Sequence, residues 1–228
     1  MKILIISDTH GLHDLVPALP PADVFIFAGD MMNSGRYLGE LAAFNAWLEK
    51  IPVPKERRLL CAGNHDISLD GTHPESSPNK SAKARELLTN GVYLQDQRIE
   101  IDGVKFWLSP QSPFFLNWAF NSQRGEDIKT FWDRIPEDTN VLVTHGPPHG
   151  ILDEVPGSPY NKWVTESVGC EELKKKIATL PNLKLHAFGH IHAPRGLYND
   201  GRVQYVNASF LDDAYRPHKG DGYFLVEI

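Results

Sequence analysis

Five apolar runs of four to six residues stand out along the chain. They cover residues 2–7, 24–28, 58–62, 141–144 and 183–188. Each run is continuously apolar instead of alternating with polar residues, which is typical of strands that are buried on both faces. The pattern therefore predicts a largely parallel central sheet with other layers packed on it.

Helical periodicity occupies much of the remaining chain. One apolar stripe runs from Tyr37 to Leu48 at three- and four-residue spacing, and Pro52 ends it. Further helices are predicted over residues 82–89, 124–135 and 170–180. Because strands and helices alternate, the pattern predicts a layered α/β sandwich.

Two antiparallel hairpins are added to this alternation. Asp102-Gly103 is a strong two-residue turn signal between apolar runs at 99–101 and 104–107. A second pair of runs, 197–198 and 203–206, flanks a polar turn, and residues 222–228 predict a final strand.

Composition is that of an ordinary globular protein. The 228 residues fit a single domain, expected to span 1–228, and suffice to bury a sizeable core. Apolar residues make up 41% and charged residues 23% of the chain, both ordinary values. The formal net charge of −6 argues against a main affinity for nucleic-acid backbone, so no obligatory nucleic-acid partner is expected.

Cysteine usage and apolar segments set the expected location. Cys61 and Cys170 are too few for a disulfide framework and are interpreted as free thiols of a reducing compartment. No run approaches the length of a membrane span, and the N-terminal run is too short for a signal-peptide core. We therefore expect a cytoplasmic protein with no membrane partner.

Polar residues follow each of the five apolar runs. They are Asp8-Thr9-His10, Gly29-Asp30, Gly63-Asn64-His65-Asp66, His145-Gly146 and Gly189-His190-Ile191-His192. In open α/β sheets, ligands bind beyond the carboxyl ends of the strands, so all five groups can converge on one point. One such group alone indicates an ordinary turn, but five together indicate a shared site. The other five histidines are expected to be exposed or capping residues: His13, His73, His149, His186 and His218.

The donor types indicate metal ions. Seven donors are too many for one small ion and suit two first-row divalent ions that share a ligand. The donors are Asp8, His10, Asp30, Asn64, His145, His190 and His192. Asp30 is the best bridging candidate, because a carboxylate can offer one oxygen to each ion. The ligand types favour Mn²⁺ or Fe, and Zn²⁺, Co²⁺, Ni²⁺ and Mg²⁺ are also compatible; the lack of a thiolate argues against a closed structural zinc site.

In these five motifs the chain resembles the calcineurin-like metallophosphoesterase superfamily over residues 3–192. Segments 44–48, 87–96, 118–124 and 144–150 resemble the animal metallophosphoesterase domain-containing proteins in particular. The resemblance implies a four-layer α/β sandwich of two mixed β-sheets flanked by α-helices.

The resemblance also implies a separate role for each site residue. The first ion would be held by Asp8, His10, Asp30 and His192, and the second by Asp30, Asn64, His145 and His190. His65 would stay free of both ions as the catalytic residue. Asn64 and His65 would contact the substrate.

One departure from the superfamily pattern lies in the second motif. Many members have Gly-Asp-x-x-Asp-Arg-Gly, whereas here Asn33 and Ser34 replace the second Asp and the Arg. In the superfamily that Asp orients the catalytic histidine and that Arg clamps a phosphate dianion, so the departure argues against protein phosphatase activity. Asp66 is a candidate for the missing orienting group.

Four functions are compatible with this site. The leading hypothesis is a phosphodiesterase for small nucleotides, with 2′,3′-cyclic nucleotides first and 3′,5′-cyclic nucleotides next. A hydroxide bridging the ions would attack phosphorus, and His65 as imidazolium would protonate the leaving alkoxide. A broad phosphomonoesterase or protein phosphatase would lack the clamping Arg, and a nuclease is disfavoured by the acidic charge. A non-catalytic binding module would be expected to have lost ligands that are present here.

Two further segments are interpreted with alternatives. The aromatic segment, residues 113–121, contains Phe114, Phe115, Trp118 and Phe120. It belongs either to the core or to a wall on which a base stacks, with Trp118 as the candidate contact. Residues 70–80 predict a loop that either borders the cleft or merely connects two elements.

Overall fold

A computed structural model of the chain describes residues 1–157 and 165–228. The strands are β1 (Lys2–Ile6), β2 (Val24–Ala28), β3 (Arg58–Cys61), β4 (Val92–Tyr93), β5 (Gln97–Ile101), β6 (Val104–Ser109), β7 (Ser112–Pro113), β8 (Asn121–Ser122), β9 (Val141–Thr144), β10 (Glu154–Pro156), β11 (Thr165–Ser167), β12 (Leu185–Phe188), β13 (Gly196–Asn199), β14 (Gln204–Asn207) and β15 (Phe224–Glu227). The α-helices are α1 (Leu38–Leu48), α2 (Pro78–Glu86), α3 (Glu126–Trp132) and α4 (Glu171–Ala178).

Two large mixed sheets contain all five predicted apolar runs. The first has the order β15-β1-β2-β3-β4, with β15 antiparallel and the other pairs parallel. The second has the order β13-β14-β12-β9-β6-β5, with a parallel centre and an antiparallel pair at each edge. The antiparallel edge pairs are the two predicted hairpins, which are thereby confirmed.

Successive side chains of a strand point to opposite faces of its sheet, and together they fill three apolar layers. Ile3 and Ile5 of β1 enter the core between the two sheets, whereas Leu4 and Ile6 pack in the cluster that includes α1. On the second sheet, Leu142 packs with α3 and α4 on the outer face. Because both faces of each sheet are covered, the central strands are continuously apolar. The result is the predicted four-layer α/β sandwich.

Helix α2 corrects one predicted boundary. The pattern predicts a helix over residues 82–89, but α2 spans Pro78–Glu86. Ser77 caps it by accepting a hydrogen bond from the Lys80 N–H at 3.2 Å, and Pro78 fits the first helical position. The predicted loop over residues 70–80 consequently ends at Ser77.

The sequence pattern does not predict several of the short strands. These are β4, β7, β8, β10 and β11, and two or three residues are too few to show a period. None of the helices within residues 1–157 and 165–228 is long and apolar enough to cross a membrane.

Candidate dinuclear metal centre

The carboxyl ends of the central strands bring all seven predicted donors together. The first sheet supplies Asp8 after β1, Asp30 after β2 and Asn64 after β3. The second sheet supplies His145 after β9 and the His190–His192 turn after β12. The site therefore lies where the two sheets face each other.

The first group of donors comprises Asp8, His10 and His192, whose ligand atoms lie within 4.8 Å of one another. Nε2 of His10 and Nε2 of His192 are 3.3 Å apart, and Asp8 Oδ1 is 3.6 Å from the latter. Two imidazole nitrogens and a carboxylate oxygen thus converge on one small volume, as the ligands of a shared cation do.

The second group converges on the amide oxygen of Asn64. That oxygen lies 2.9 Å from His145 Nε2 and 2.8 Å from His190 Nδ1. Asp30 Oδ2 is 3.3 Å from His145 Nε2 and 3.7 Å from His10 Nε2, which belongs to the first group. Asp30 therefore spans the two groups, the position that a bridging ligand needs.

Backbone and hydroxyl groups behind the donors fix their orientation. His145 Nδ1 donates to the Ala28 carbonyl and His192 Nδ1 donates to the Asp212 carbonyl, each at 3.1 Å. Each contact leaves Nε2 directed at the donor cluster, as is usual for metal-binding histidines. Ser209 Oγ donates to Asp8 Oδ2 at 2.9 Å and holds that carboxylate from behind.

The backbone at the strand ends is in the left-handed region. Asp8, His10, Asp30 and His190 have φ values of 53°, 43°, 59° and 71°. Such values are costly for residues other than glycine and cluster at functional sites. Close packing adds a second constraint, because a Cβ at Gly189 would collide with the Asp8 carboxylate.

Two imidazoles of the cluster are paired with carboxylates. Burial acts to lower the pKa of His145, but the Asp30 carboxylate outweighs it and the pKa rises to about 9. Burial opposes protonation of His192 as well, yet Asp8 raises its pKa to about 9. Burial also acts to raise the pKa of Asp8 and Asp30, but the neighbouring imidazoles outweigh it and both carboxyl groups remain ionised.

The other two imidazoles stay neutral. Burial lowers the pKa of His10 to about 4 and that of His190 to about 3. Without ions, two buried carboxylates thus face two imidazoliums, and divalent cations would take over the charge of those protons. The donor types, their convergence and this charge balance all fit a pair of divalent ions.

His65 lies at the edge of the cluster. Its Nδ1 donates to the Asn33 carbonyl at 2.7 Å, and its ring is perpendicular to His10 with centroids 4.5 Å apart. The His65 ring also stacks on Trp118, with centroids 4.0 Å apart and planes inclined by 22°. A ring nitrogen comes within 4.8 Å of the His10 and Asp30 ligand atoms. Since Nδ1 is committed to a carbonyl, Nε2 is the atom left for substrate.

The interpretation of Asp66 as a substitute for the missing orienting Asp is wrong. Its two oxygens accept hydrogen bonds from the backbone N–H groups of Asp30, Met32 and Gly63 at 2.8–3.0 Å. Asp66 therefore ties the second and third motifs together. The orienting contact to His65 comes instead from the Asn33 backbone, which any residue type would supply.

A cavity of about 540 Å³ opens over the donors, and we call it the main cavity. His10, His65 and Trp118 line it together with Tyr215, which the sequence pattern does not predict. The Tyr215 ring centroid is 4.8 Å from that of His10, and the residue lies in an irregular turn without period or motif.

The aromatic segment divides between its two interpretations. Phe120 is 3% exposed and belongs to the core, whereas Phe114 and Phe115 are 55% and 59% exposed. Trp118 is half-buried, packs against the core and also lines the main cavity.

The loop over residues 70–77 braces the aromatic segment and does not line the main cavity. Asp70 Oδ2 accepts a hydrogen bond from the Phe120 N–H at 2.9 Å. His73 Nε2 donates to the Asn117 carbonyl at 3.2 Å. The expectation of surface positions for the remaining histidines is wrong for His13, His73 and His186, which are buried.

A two-sheet sandwich with oxygen and imidazole donors from both sheets at one edge is the architecture of metallophosphoesterases. A family model for calcineurin-like phosphoesterases matches residues 1–194. The chain belongs to this family, whose members hydrolyse phosphoesters and normally bind a dinuclear metal centre.

Relatives and solved structures are consistent with this assignment. Metallophosphoesterase domain-containing protein 1 of Homo sapiens is 36% identical over 231 residues, which cover 95% of this chain and 68% of that protein. The fold is similar to that of phosphopantetheinyl hydrolase from Mycobacterium tuberculosis, with a TM-score of 0.65 at 14% identity over 99% of this chain and 95% of that chain. It is also similar to TT1561 of Thermus thermophilus, with a TM-score of 0.57 at 16% identity over 97% and 98% of the two chains.

Proposed function

We propose that this protein is a metal-dependent phosphodiesterase that hydrolyses small nucleotide phosphodiesters. The leading substrates are 2′,3′-cyclic nucleotides, followed by 3′,5′-cyclic nucleotides. The observation that supports this most is the composition of the main cavity. It contains His65, but among the described residues that line it there is neither Arg nor Lys.

The lack of an Arg or Lys side chain among the described residues of the main cavity affects which substrate charge the cavity fits. A phosphomonoester carries a dianionic group, which a guanidinium clamp would stabilise, whereas a diester is a monoanion. Ser34, at the place of the superfamily Arg, donates its hydroxyl to Glu40 instead. A site without a clamp fits the monoanionic diester better.

The arrangement of His65 bears on the leaving group. An alkoxide leaving from a diester is poor and benefits from a positioned general acid. With Nδ1 donating to Asn33, His65 can present a proton on Nε2 to the leaving oxygen. The contact with Trp118 limits rotation of the ring away from that position.

The size and lining of the main cavity bear on the nucleotide. Its volume of about 540 Å³ lies within the range of roughly 300–1,000 Å³ that is typical of small-molecule sites. Phe115 and Tyr215 supply flat apolar surface beside the donor cluster.

The chain's own residues have separate roles in this proposal. Two divalent ions, with Mn²⁺ or Fe favoured by ligand type, supply charge neutralisation and an activated water when bound. The seven donors fix the ions, Asn64 borders the substrate as well, and His65 holds the proton for the leaving oxygen. The proposal includes a cytoplasmic location and no nucleic-acid or membrane partner; the buried free thiols of Cys61 and Cys170 fit a reducing compartment.

A substrate panel with Mn²⁺-loaded protein tests the proposal. The panel contains 2′,3′-cyclic AMP, 3′,5′-cyclic AMP, p-nitrophenyl phosphate, a phosphopeptide and single-stranded DNA. We expect the highest kcat/KM for a cyclic nucleotide, and loss of that activity in Asp30→Asn but not in the exposed Asp127→Asn. Efficient hydrolysis of monoesters or DNA, without activity on any small nucleotide diester, would contradict the proposal.

A further inference from the structure

Trp118 has little surface left for a nucleobase. One face of its indole is covered by His65, and the side chain also packs against the core cluster around α1. The segment that carries it is anchored on both sides, because Ala119 N–H donates to the Asn64 carbonyl at 3.0 Å and Phe120 N–H donates to Asp70. A nucleobase bound near the donors therefore has to stack on a residue other than Trp118.

A second cavity of about 460 Å³, here called the side cavity, adjoins the main cavity. Phe115, Val155, His190 and Ile191 line both, so the two form one continuous cleft at the donor cluster. The residues that line the side cavity alone include Pro113, Phe114, Pro147 and Val168. These residues make the lining of the side cavity largely apolar.

Arg124 is the only Lys, Arg, Asp or Glu among the described residues that line the side cavity. Its guanidinium donates to the carbonyls of Val168 and Gly169 at 2.6 Å and 2.8 Å and pairs with Glu171. Three of the five N–H groups of this guanidinium are thus already engaged within the protein. The side cavity offers apolar surface and aromatic faces.

We infer that the side cavity binds the nucleobase of the substrate, with Phe114 as its stacking residue. The inference rests on the proposed function, because it assigns a part of the substrate to a part of the same cleft. Stacking of bases on aromatic side chains is tolerant of sequence, since every base has a π-face. We therefore expect the enzyme to discriminate little among the four bases.

The position of His65 agrees with this assignment. His65 lines the main cavity but not the side cavity, whereas His190 lines both. In a cyclic nucleotide the leaving oxygen and the base belong to the same ribose, which would pass His190 on its way from His65 to the side cavity. Phe114 contributes to substrate binding, and Trp118 contributes to the position of the acid.

Phe114→Ala tests the inference, and because Phe114 is 55% exposed the fold should tolerate the change. The substrates are 2′,3′-cyclic AMP and methyl p-nitrophenyl phosphate, a diester without a base. We expect KM for the nucleotide to rise about tenfold, the size of effect of removing one base–aromatic stack, with kcat and the base-free diester unchanged. Phe114→Trp should restore KM, and Tyr37→Ala, another exposed aromatic residue, should leave it unchanged.

Calorimetric binding of 3′-AMP to the Mn²⁺-loaded protein separates this inference from the proposed function. Weaker binding to Phe114→Ala than to wild type supports the side cavity as the base site. Equal binding, or a rise in nucleotide KM with Trp118→Ala but not with Phe114→Ala, overturns it. Absence of nucleotide hydrolysis in the wild type contradicts the proposed function, while the calorimetric comparison still decides whether a base enters the side cavity.

Discussion

The imidazole of His65 lies flat against the indole of Trp118, with ring centroids 4.0 Å apart and planes inclined by 22°. Together with the hydrogen bond to the Asn33 carbonyl, this contact determines where the ring points. The usual carboxylate for this purpose is absent at Asn33. The orientation of the proposed acid therefore depends on an aromatic face and a backbone oxygen.

Trp118→Ala should reduce kcat through loss of this orientation. General acid catalysis contributes about 10²–10⁴-fold, and we expect loss of the indole to remove roughly one order of magnitude of it on diesters with alkoxide leaving groups. Trp118→Phe should recover most of the activity, because a flat ring remains. The measurement is kcat and KM for 2′,3′-cyclic AMP at saturating Mn²⁺.

Two controls keep this prediction specific. Metal content should be the same in wild type and both variants, since Trp118 is not among the donors. An equal loss of kcat on a p-nitrophenyl diester, whose leaving group needs little protonation, would show that Trp118 does not act through His65.

His65→Ala should retain its metal ions yet lose most of its activity on alkyl diesters. We expect a loss of about 10²-fold or more for an alkoxide leaving group and a much smaller loss for p-nitrophenolate. A series of linear diesters that differ only in the pKa of the leaving alcohol shows how steeply the logarithm of kcat depends on that pKa. A slope identical to that of the wild type would rule out the acid role.

Asp30→Asn should lose both ions, because Asp30 Oδ2 lies beside both donor groups and a neutral amide is a weaker ligand for a divalent ion than a carboxylate. Elemental analysis after Mn²⁺ saturation and desalting should find close to two ions per wild-type chain and near none in the variant. Asp127→Asn, an exposed change in the first turn of α3, is the matched control and should keep both. One ion or none in the saturated wild type would refute the shared site.

His186 should make folding stability depend on pH. The Thr144 hydroxyl donates to the Gly146 carbonyl at 2.7 Å, so His186 Nε2 must donate to Thr144 Oγ1, and the ring is neutral. Burial lowers its pKa from 6.5 to about 3. Between these values the unfolded chain binds a proton that the folded chain does not, so stability falls as pH decreases below about 6.5.

The corresponding loss is about 2 kcal/mol of unfolding free energy between pH 7 and pH 5. Urea denaturation of wild type and His186→Gln at both pH values measures this loss. The decrease in unfolding free energy from pH 7 to pH 5 should be about 2 kcal/mol smaller in the variant than in wild type. His149→Gln, a change at a half-buried histidine outside the core, is the control. An equal pH dependence in wild type and His186→Gln would contradict the prediction.

The donor cluster was predictable because each donor follows a continuously apolar run. A strand buried on both faces has a clear pattern, and its carboxyl end fixes where the next residue lies. Asp8, Asp30 and His145 could therefore be assigned to one edge of the fold before any contact was known. The alternation of strands and helices predicts a layered α/β sandwich, whereas its division into four layers is implied by the resemblance to the superfamily.

Contacts made by backbone atoms could not be predicted in this way. Asp66 is next to His65 in the chain, yet its oxygens accept hydrogen bonds from backbone N–H groups of its own loop and of the loop that follows β2. Tyr215 reaches the site from an irregular turn, where no period shows the direction of a side chain. The same lack of a period left the aromatic segment undecided between core and cleft, and its members take both roles.

The donors come from both sheets, and the pairing of His10 with His192 spans 182 positions of the chain. Neither half of the sequence can assemble the site alone, so ions bound there would connect the two sheets and stabilise the folded chain. Ligands that bind only the folded state add stability that grows with their free concentration. The metal supply of the cell would then determine how firmly the two halves hold together as well as how fast the enzyme turns over.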